Sequence, residues 1–325
     1  MVTRARSRHT PRESAGPTSG WRLSTEQLVV VAGKNGVGRS TVAAALGVAA
    51  ARRGLRTAVV EISGDHDRAS VAAPDVGVGN RAATTCPDLE HLTVDRHAAL
   101  ADYLRTELPI GTPAKILARN RMFELFVDAA PGLGELLTIG EVCNLAQPRG
   151  RRRGDRPYDL VVLDGPASGH FLGLLTAPRT FASIARVGPV AAQATTIDRM
   201  LRDPAFLAVV AVTTPEQMAI TETLALRSSL RNELGIDFAA VAVNKLLPAR
   251  FGRRDEATLL AAPDDPAVRT ALWFHARAVA QRAQLRRLRR GLDGVPSLTL
   301  PFMFAEAVDR VAIEQLAGAL GRWLR

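Results

Sequence analysis

Short, continuously apolar runs alternate along the chain with longer segments of helical patterning. The run QLVVVAG, residues 27–33, is apolar throughout and predicts a buried strand. The Ala-rich segment from Ser40 to Arg53 has strong helix propensity and stops at Gly54, and RTAVVEI, Arg56 to Ile62, is a second buried strand. Strand, helix and strand in so short a span make one βαβ unit, which implies a parallel sheet.

The next strand is DLVVLD, Asp159 to Asp164. The stretch before it far exceeds a normal crossover, so it must carry structure of its own. Helical patterning over 97–108, 114–129 and 133–146, punctuated by Pro109, Pro113 and Pro131, predicts a helical insertion over about 95–157 that closes with the basic loop PRGRRRGDRP. Alternation then resumes. Helices run to about Asp203, followed by strand FLAVVAVTT (206–214), a helix from about Pro215 and strand FAAVAVN (238–244). A long helix from about Pro266 to Arg290, strand PSLTL (296–300) and an amphipathic helix over about 306–324 complete the chain. The fold class is therefore α/β, a doubly wound, mainly parallel sheet with a helical insertion subdomain, forming one domain over 25–325. Residues 1–24 hold Arg, Ser, Thr, Pro and Gly around a lone Trp21, too little apolar surface to order themselves, and read as a disordered basic arm.

Composition removes whole classes of function. With 47% of its 325 residues apolar, the chain matches a soluble globular protein with a sizeable core. Its 42 Lys plus Arg against 32 Asp plus Glu give a net charge of +10, but Lys34, Lys115 and Lys245 are the only lysines. The excess is arginine spread over a tail, a loop and helix faces without interleaved aromatics, so a solvated surface is expected and no specific nucleic acid. No apolar stretch reaches the length of a transmembrane segment; the longest, Thr41 to Ala51, stops at Arg52 and Arg53. The first residues lack the apolar core of a secretory signal. Cys86 and Cys143 form no C-x-x-C pair, read as small core residues and suit a reducing, cytoplasmic location.

Three clusters carry candidate chemistry. The first strand runs into Gly33-Lys34-Asn35-Gly36-Val37-Gly38-Arg39-Ser40 and then Thr41, which fits G-x-x-x-x-G-K-[ST] except that Arg39 replaces the lysine. Glycines there let backbone N–H groups wrap phosphates, the following helix presents its N-terminus to them, and Ser40 falls at the magnesium-ligand position. The second cluster is the apolar strand ending in Asp164-Gly165-Pro166-Ala167-Ser168-Gly169-His170. The third is Asn244-Lys245 at a strand end: guanine recognition would want N-K-x-D, and leucine at position 247 favours adenine.

Lys34, directly after the first glycine, resembles the mark of the deviant P-loop, G-K-G-G-V-G-K-[ST]. That loop belongs to the ArsA-like anion-transporting ATPases, the ATPases that guide tail-anchored membrane proteins, the Min and Par partition ATPases and the nitrogenase iron protein. The Asp164 cluster narrows the choice, because it resembles the D-x-A-P-T-G-H of the ArsA and tail-anchored-targeting branch, whose Gly-His ending the partition ATPases lack. LPFMFAEAVDRV (300–311) is similar to that branch's purine-closing loop and final helix; APGL (130–133) and ARVGP (185–189) resemble segments of actinobacterial ArsA-like proteins.

The resemblance covers roughly 27–325 and implies a nucleotide-dependent dimer. It places ATP on Gly33 to Thr41 and Asn244, and Mg2+ on Ser40 and Asp164. It also sends Lys34 across the interface to the partner's phosphates, in the manner of an arginine finger. Two departures bear on turnover. A guanidinium at Arg39 is not equivalent to an ammonium at a tight phosphate site. The carboxylate expected to orient the attacking water is Ser63 here, with Asp65 two residues late as the alternative catalytic group. The inter-subunit zinc cysteines are absent, and two cysteines cannot supply three metalloid ligands.

The leading expectation is a cytoplasmic, magnesium-dependent ATPase that acts as a nucleotide-switched dimer and controls a partner or cargo. Its partner in the dimer is a second copy or a paralogous ATPase, and its target a protein client or membrane protein. The alternative is a catalytically weak regulatory subunit paired with an active paralogue.

Overall fold

The structure is a computed structural model and describes residues 26–62, 86–94, 132–147, 157–184, 189–305 and 307–324. The basic arm, the helical patterns at 97–108 and 114–129, the PRGRRRGDRP loop, and Ser63 and Asp65 lie outside the described residues, wholly or for the most part.

In chain order the described elements are β1 (Leu28–Gly33), α1 (Arg39–Ala51), β2 (Thr57–Ile62), β3 (Leu89–Val94), α2 (Leu133–Ala146), β4 (Leu160–Ala167), α3 (Ser168–Ile184), α4 (Pro189–Leu201), β5 (Leu207–Thr213), α5 (Gln217–Leu234), β6 (Phe238–Leu246), α6 (Arg253–Ala261), α7 (Pro266–Leu292), β7 (Ser297–Pro301) and α8 (Arg310–Leu320). All seven strands pair in parallel in the order β3-β2-β4-β1-β5-β6-β7.

A parallel sheet needs cover on both faces, which is why its strands read as unbroken apolar runs. Alternate residues of β1 show the division. Leu28, Val30 and Ala32 join a core with α2, α3, α4, α5 and α7, while Val29 and Val31 join a second core with α1 and α8. Alanines in α1 let that helix lie close to the sheet, and all its residues from Val42 to Ala51 are buried. The long helix α7 starts at Asp265, whose carboxylate accepts from the Ala267 N–H at 2.7 Å, with Pro266 in the first turn where its missing N–H costs nothing.

The sequence pattern located β1, β2, β4, β5, β6 and β7 within a few residues of their observed bounds. It did not give β3. Leu89-Glu90-His91-Leu92-Thr93-Val94 is broken by polar residues because it forms a sheet edge, where only part of the strand is buried. It also did not give α6, which buries none of its residues. The pattern at 133–146 is α2, which packs on the sheet through Ile139, Val142 and Cys143.

The chain leaves β1 through α1 for β2, skipping the place that β4 later fills, and returns after β4 to set β5 on the other side of β1. This reversal opens a crevice beyond the carboxyl end of β1, the position where doubly wound sheets bind ligands.

Candidate functional site

The crevice is built from loops at the carboxyl ends of β1, β4 and β6. Gly33 ends β1 so close to β5 that a side chain would strike the Val212 carbonyl. The loop then turns through Gly36 (φ 82°) and Gly38 (φ 92°), left-handed conformations that favour glycine. Gly38 caps α1 with no side-chain acceptor, and no acidic residue occupies the first turn. The N–H groups of the first turn therefore point their donors and positive dipole end into the crevice, as an anion site requires.

Two residues at the end of β6 brace this loop. Asn244 is buried, donates from Nδ2 to the Val37 carbonyl at 2.9 Å and accepts the Lys245 N–H at Oδ1. Lys245 donates from Nζ to the Gly36 carbonyl at 2.8 Å. Lys245 holds a left-handed backbone (φ 58°), a conformation costly for a residue with a Cβ and retained where the surroundings impose it. Gln281 of α7 imposes it here, accepting from the Leu247 N–H at 2.8 Å and donating to the Lys245 carbonyl at 3.3 Å. The sequence uses Lys245 only in weighing guanine against adenine and gives Gln281 no role, and nothing local to either residue signals this brace.

Asp164 sits where β4 lies beside β1 and β2, in register with Val31 and Glu61. Burial pushes its carboxyl above the usual range and the Glu61 charge adds to that, while a hydrogen bond from Ser40 and the charge of Arg39 oppose it. Its Oδ1 is buried and has no hydrogen-bond partner. An orphaned carboxylate oxygen beside a serine hydroxyl, both hard oxygen donors, fits a magnesium ion.

The two cations of the loop are both engaged. Arg39 sends its planar fork backwards, to the Gly165 carbonyl and, at 3.1 Å, to Asn35 Oδ1. Burial lowers its pKa, opposed by the charge of Asp164. Lys34 is 2.5 Å from Glu222 Oε1 on α5, in an ion pair whose side chains are 39% and 36% exposed. The structure thus gathers Gly33 to Thr41, Asp164 and Asn244 around one crevice and holds Lys34 at its rim through Glu222, a partner 188 residues away that the sequence did not reveal.

Beyond Asn244 the crevice opens into a cleft of about 450 Å3 with Pro301, Phe302, Met303, Val308 and Leu316 on one side and Gly36 and Gly38 to Thr41 on the other. An apolar wall opposite a cradle of backbone donors suits a flat heterocycle joined to phosphates. The cysteines take no part. Cys143 is buried in the α2 core, where burial pushes its thiol up to about 12, and Cys86 packs against the opposite face of the sheet. No helix among the described residues is long and apolar enough to cross a membrane.

A glycine-rich turn joining the central strand to a helix at the reversal point of a parallel sheet defines a P-loop nucleotide-binding fold. Within that class the chain belongs to the anion-transporting ATPase family, whose model matches residues 26–188 and 182–321. It is similar over nearly its whole length to the ATPase BagA of Mycobacterium tuberculosis, 27% identical over 335 residues that cover 95% of this chain and 97% of that protein. An ATPase ASNA1 homolog of Entamoeba dispar is 25% identical over 265 residues, 69% of this chain and 77% of its own. The ATPase GET3 of Kluyveromyces lactis is 28% identical over 182 residues, 51% and 52% of the two chains.

Proposed function

We propose that the protein binds ATP with Mg2+ in this cleft and hydrolyses it as a nucleotide-switched dimer that controls a partner or cargo in the cytoplasm. One observation carries the reading: the uncapped start of α1 and the apolar wall at Phe302 line a single cleft, and Ser40 of that start hydrogen-bonds Asp164, whose other oxygen is orphaned. The α1 N–H groups bind the phosphates, Ser40 and Asp164 hold the metal, and Asn244 with the wall receives the base. Mg2+ supplies charge neutralisation and alignment of the phosphates.

Lys34 acts on the partner's phosphates in this reading, so its ion pair with Glu222 must open first. Exposed pairs of this kind are worth about 0.2–1 kcal/mol. A triphosphate carries several charges and outbids a single carboxylate of that strength, so dimerisation follows from nucleotide binding. The second copy is this chain or a paralogue.

A second reading, a catalytically weak regulatory subunit, draws support from Arg39. Its fork is already taken by Gly165 and Asn35, so charge placement on the transferred phosphoryl group is poorer than a lysine would give. Ser63 at the water-orienting position adds to it, with Asp65 as the candidate replacement.

Calorimetry with magnesium and ATP or GTP tests the binding, and the expected result is preference for ATP. Absence of binding to either nucleotide would end the nucleotide reading. Single-turnover hydrolysis by wild type, Ser63→Asp and Asp65→Asn separates the two versions: a fast wild type abolished by Asp65→Asn establishes a competent ATPase, whereas a slow wild type accelerated by Ser63→Asp establishes the weak subunit.

A further inference from the structure

The base-side wall of the cleft is part of a loop in which Met303 packs on the core while the phenylalanines on either side of it are exposed. Phe302 donates its N–H to the Leu246 carbonyl at 2.9 Å, and at the far end Asp309 caps α8 by accepting from the Ala312 N–H at 2.9 Å. Between these anchors Phe302 and Phe304 are 38% and 61% exposed, so burial alone does not fix their positions.

An aromatic and cationic cluster does. The rings of Phe302 and Phe304 meet edge to face at 4.9 Å, and Phe304 lies over Phe274 of α7 at 6.3 Å with 29° between the planes. The guanidinium carbon of Arg250, from the segment after β6, stands 5.4 Å from the Phe274 ring centre and 5.3 Å from that of Phe304. One cation against two ring faces is favourable at each, because both faces carry negative quadrupole charge. Arg250 thereby links the loop to α7, and the ring it holds, Phe304, touches Phe302 of the cleft wall.

We propose that Arg250 is a positioning residue for the nucleotide base. It does not line the cleft, and it acts by holding Phe304, and through it Phe302, as the wall against which the base packs. The inference rests on the nucleotide reading above and deepens it: affinity for the base depends on an exposed cation outside the pocket, while affinity for the phosphates does not.

The test is calorimetry on the full chain with magnesium and two probes, ATP and inorganic tripolyphosphate, for wild type, Arg250→Ala, Arg250→Lys, Phe304→Leu and the double variant Arg250→Ala/Phe304→Leu. Arg250→Ala is expected to weaken ATP about fivefold, equivalent to about 1 kcal/mol at 1.4 kcal/mol per tenfold, and to leave tripolyphosphate unchanged. Arg250→Lys should recover part of the loss, because an ammonium keeps the charge but not the planar stack. The double variant should lose little beyond Phe304→Leu alone, since the two side chains form one contact. Arg250 is exposed, so thermal unfolding of Arg250→Ala should stay near wild type; if that variant does not fold, Phe304→Leu and Arg250→Lys give the same comparison of probes. Unchanged ATP affinity in Arg250→Ala, or equal losses for ATP and tripolyphosphate, would overturn the proposal. Wild type binding tripolyphosphate and ATP equally would overturn it too, by removing the base contribution, and wild type binding neither would remove the nucleotide reading with it.

Discussion

Replacing Asp164 by asparagine should make the empty protein more stable and the nucleotide-loaded protein less so. The carboxylate is buried beside Ser40, Arg39 and Glu61, with one oxygen unpartnered. A buried acceptor left unpaired costs about 1–3 kcal/mol. The Glu61 charge adds to that cost, and the attraction of Arg39 and the hydrogen bond from Ser40 return part of it. An amide leaves one buried polar atom unpartnered as before and keeps an acceptor for Ser40, but it discards the charge, whose burial costs more than that of a neutral amide, so the net gain is about 1–2 kcal/mol. At an unfolding entropy of about 2.1 cal/mol/K per residue, that raises the melting midpoint by roughly 1.5–3 °C. Saturation of wild type at 100 times Kd adds about 2.7 kcal/mol, and the magnesium-dependent part of this gain should vanish in the variant. Differential scanning calorimetry with EDTA, with ATP and EDTA, and with ATP and magnesium reads all three states. A variant that melts no higher than wild type in EDTA would refute the strained carboxylate, and one that keeps the full magnesium-dependent gain would refute its assignment to the metal.

Glu222→Gln removes the carboxylate that holds Lys34, so half-maximal dimerisation should need about 1.4–5-fold less ATP in light scattering; an unchanged midpoint would show that the pair exerts no control. Gly38→Ala forces a left-handed alanine whose methyl group strikes Asn244 Nδ2, at a cost of about 2–4 kcal/mol, and should lower the melting midpoint and weaken ATP together. His91 on β3 is buried with neither ring nitrogen partnered; burial lowers its pKa from the usual 6.5, against an opposing pull from the Glu61 charge. Because the folded state prefers the neutral ring, this contribution is present above pH 6.5 and lost as pH falls through the lower folded value. His91→Leu should flatten the melting profile in that acid window, and parallel profiles would exclude the effect.

The sequence by itself determined the strands of the sheet's centre, because a strand covered on both faces must be apolar at every position and no other element of that length reads so. It also determined the P-loop, whose glycines serve a local turn, and the place of Asp164 at the end of a buried run. These features depend on residues near one another in the chain. Tertiary structure decided the rest. The Lys245 brace, the Lys34 pair with Glu222 and the Asn244 bond to Val37 join residues 188 to 209 positions apart, and no local pattern encodes a partner at that range. The edge strand β3 owes its existence to its neighbour β2, since a half-buried position tolerates Glu90 and an exposed one Thr93, which erases the apolar run. Arg250 gives the clearest case. Its sequence neighbourhood, Pro248-Ala249-Arg250, reads as a solvated loop, and only the meeting of α7 with the loop after β7 sets that guanidinium against the rings of Phe274 and Phe304.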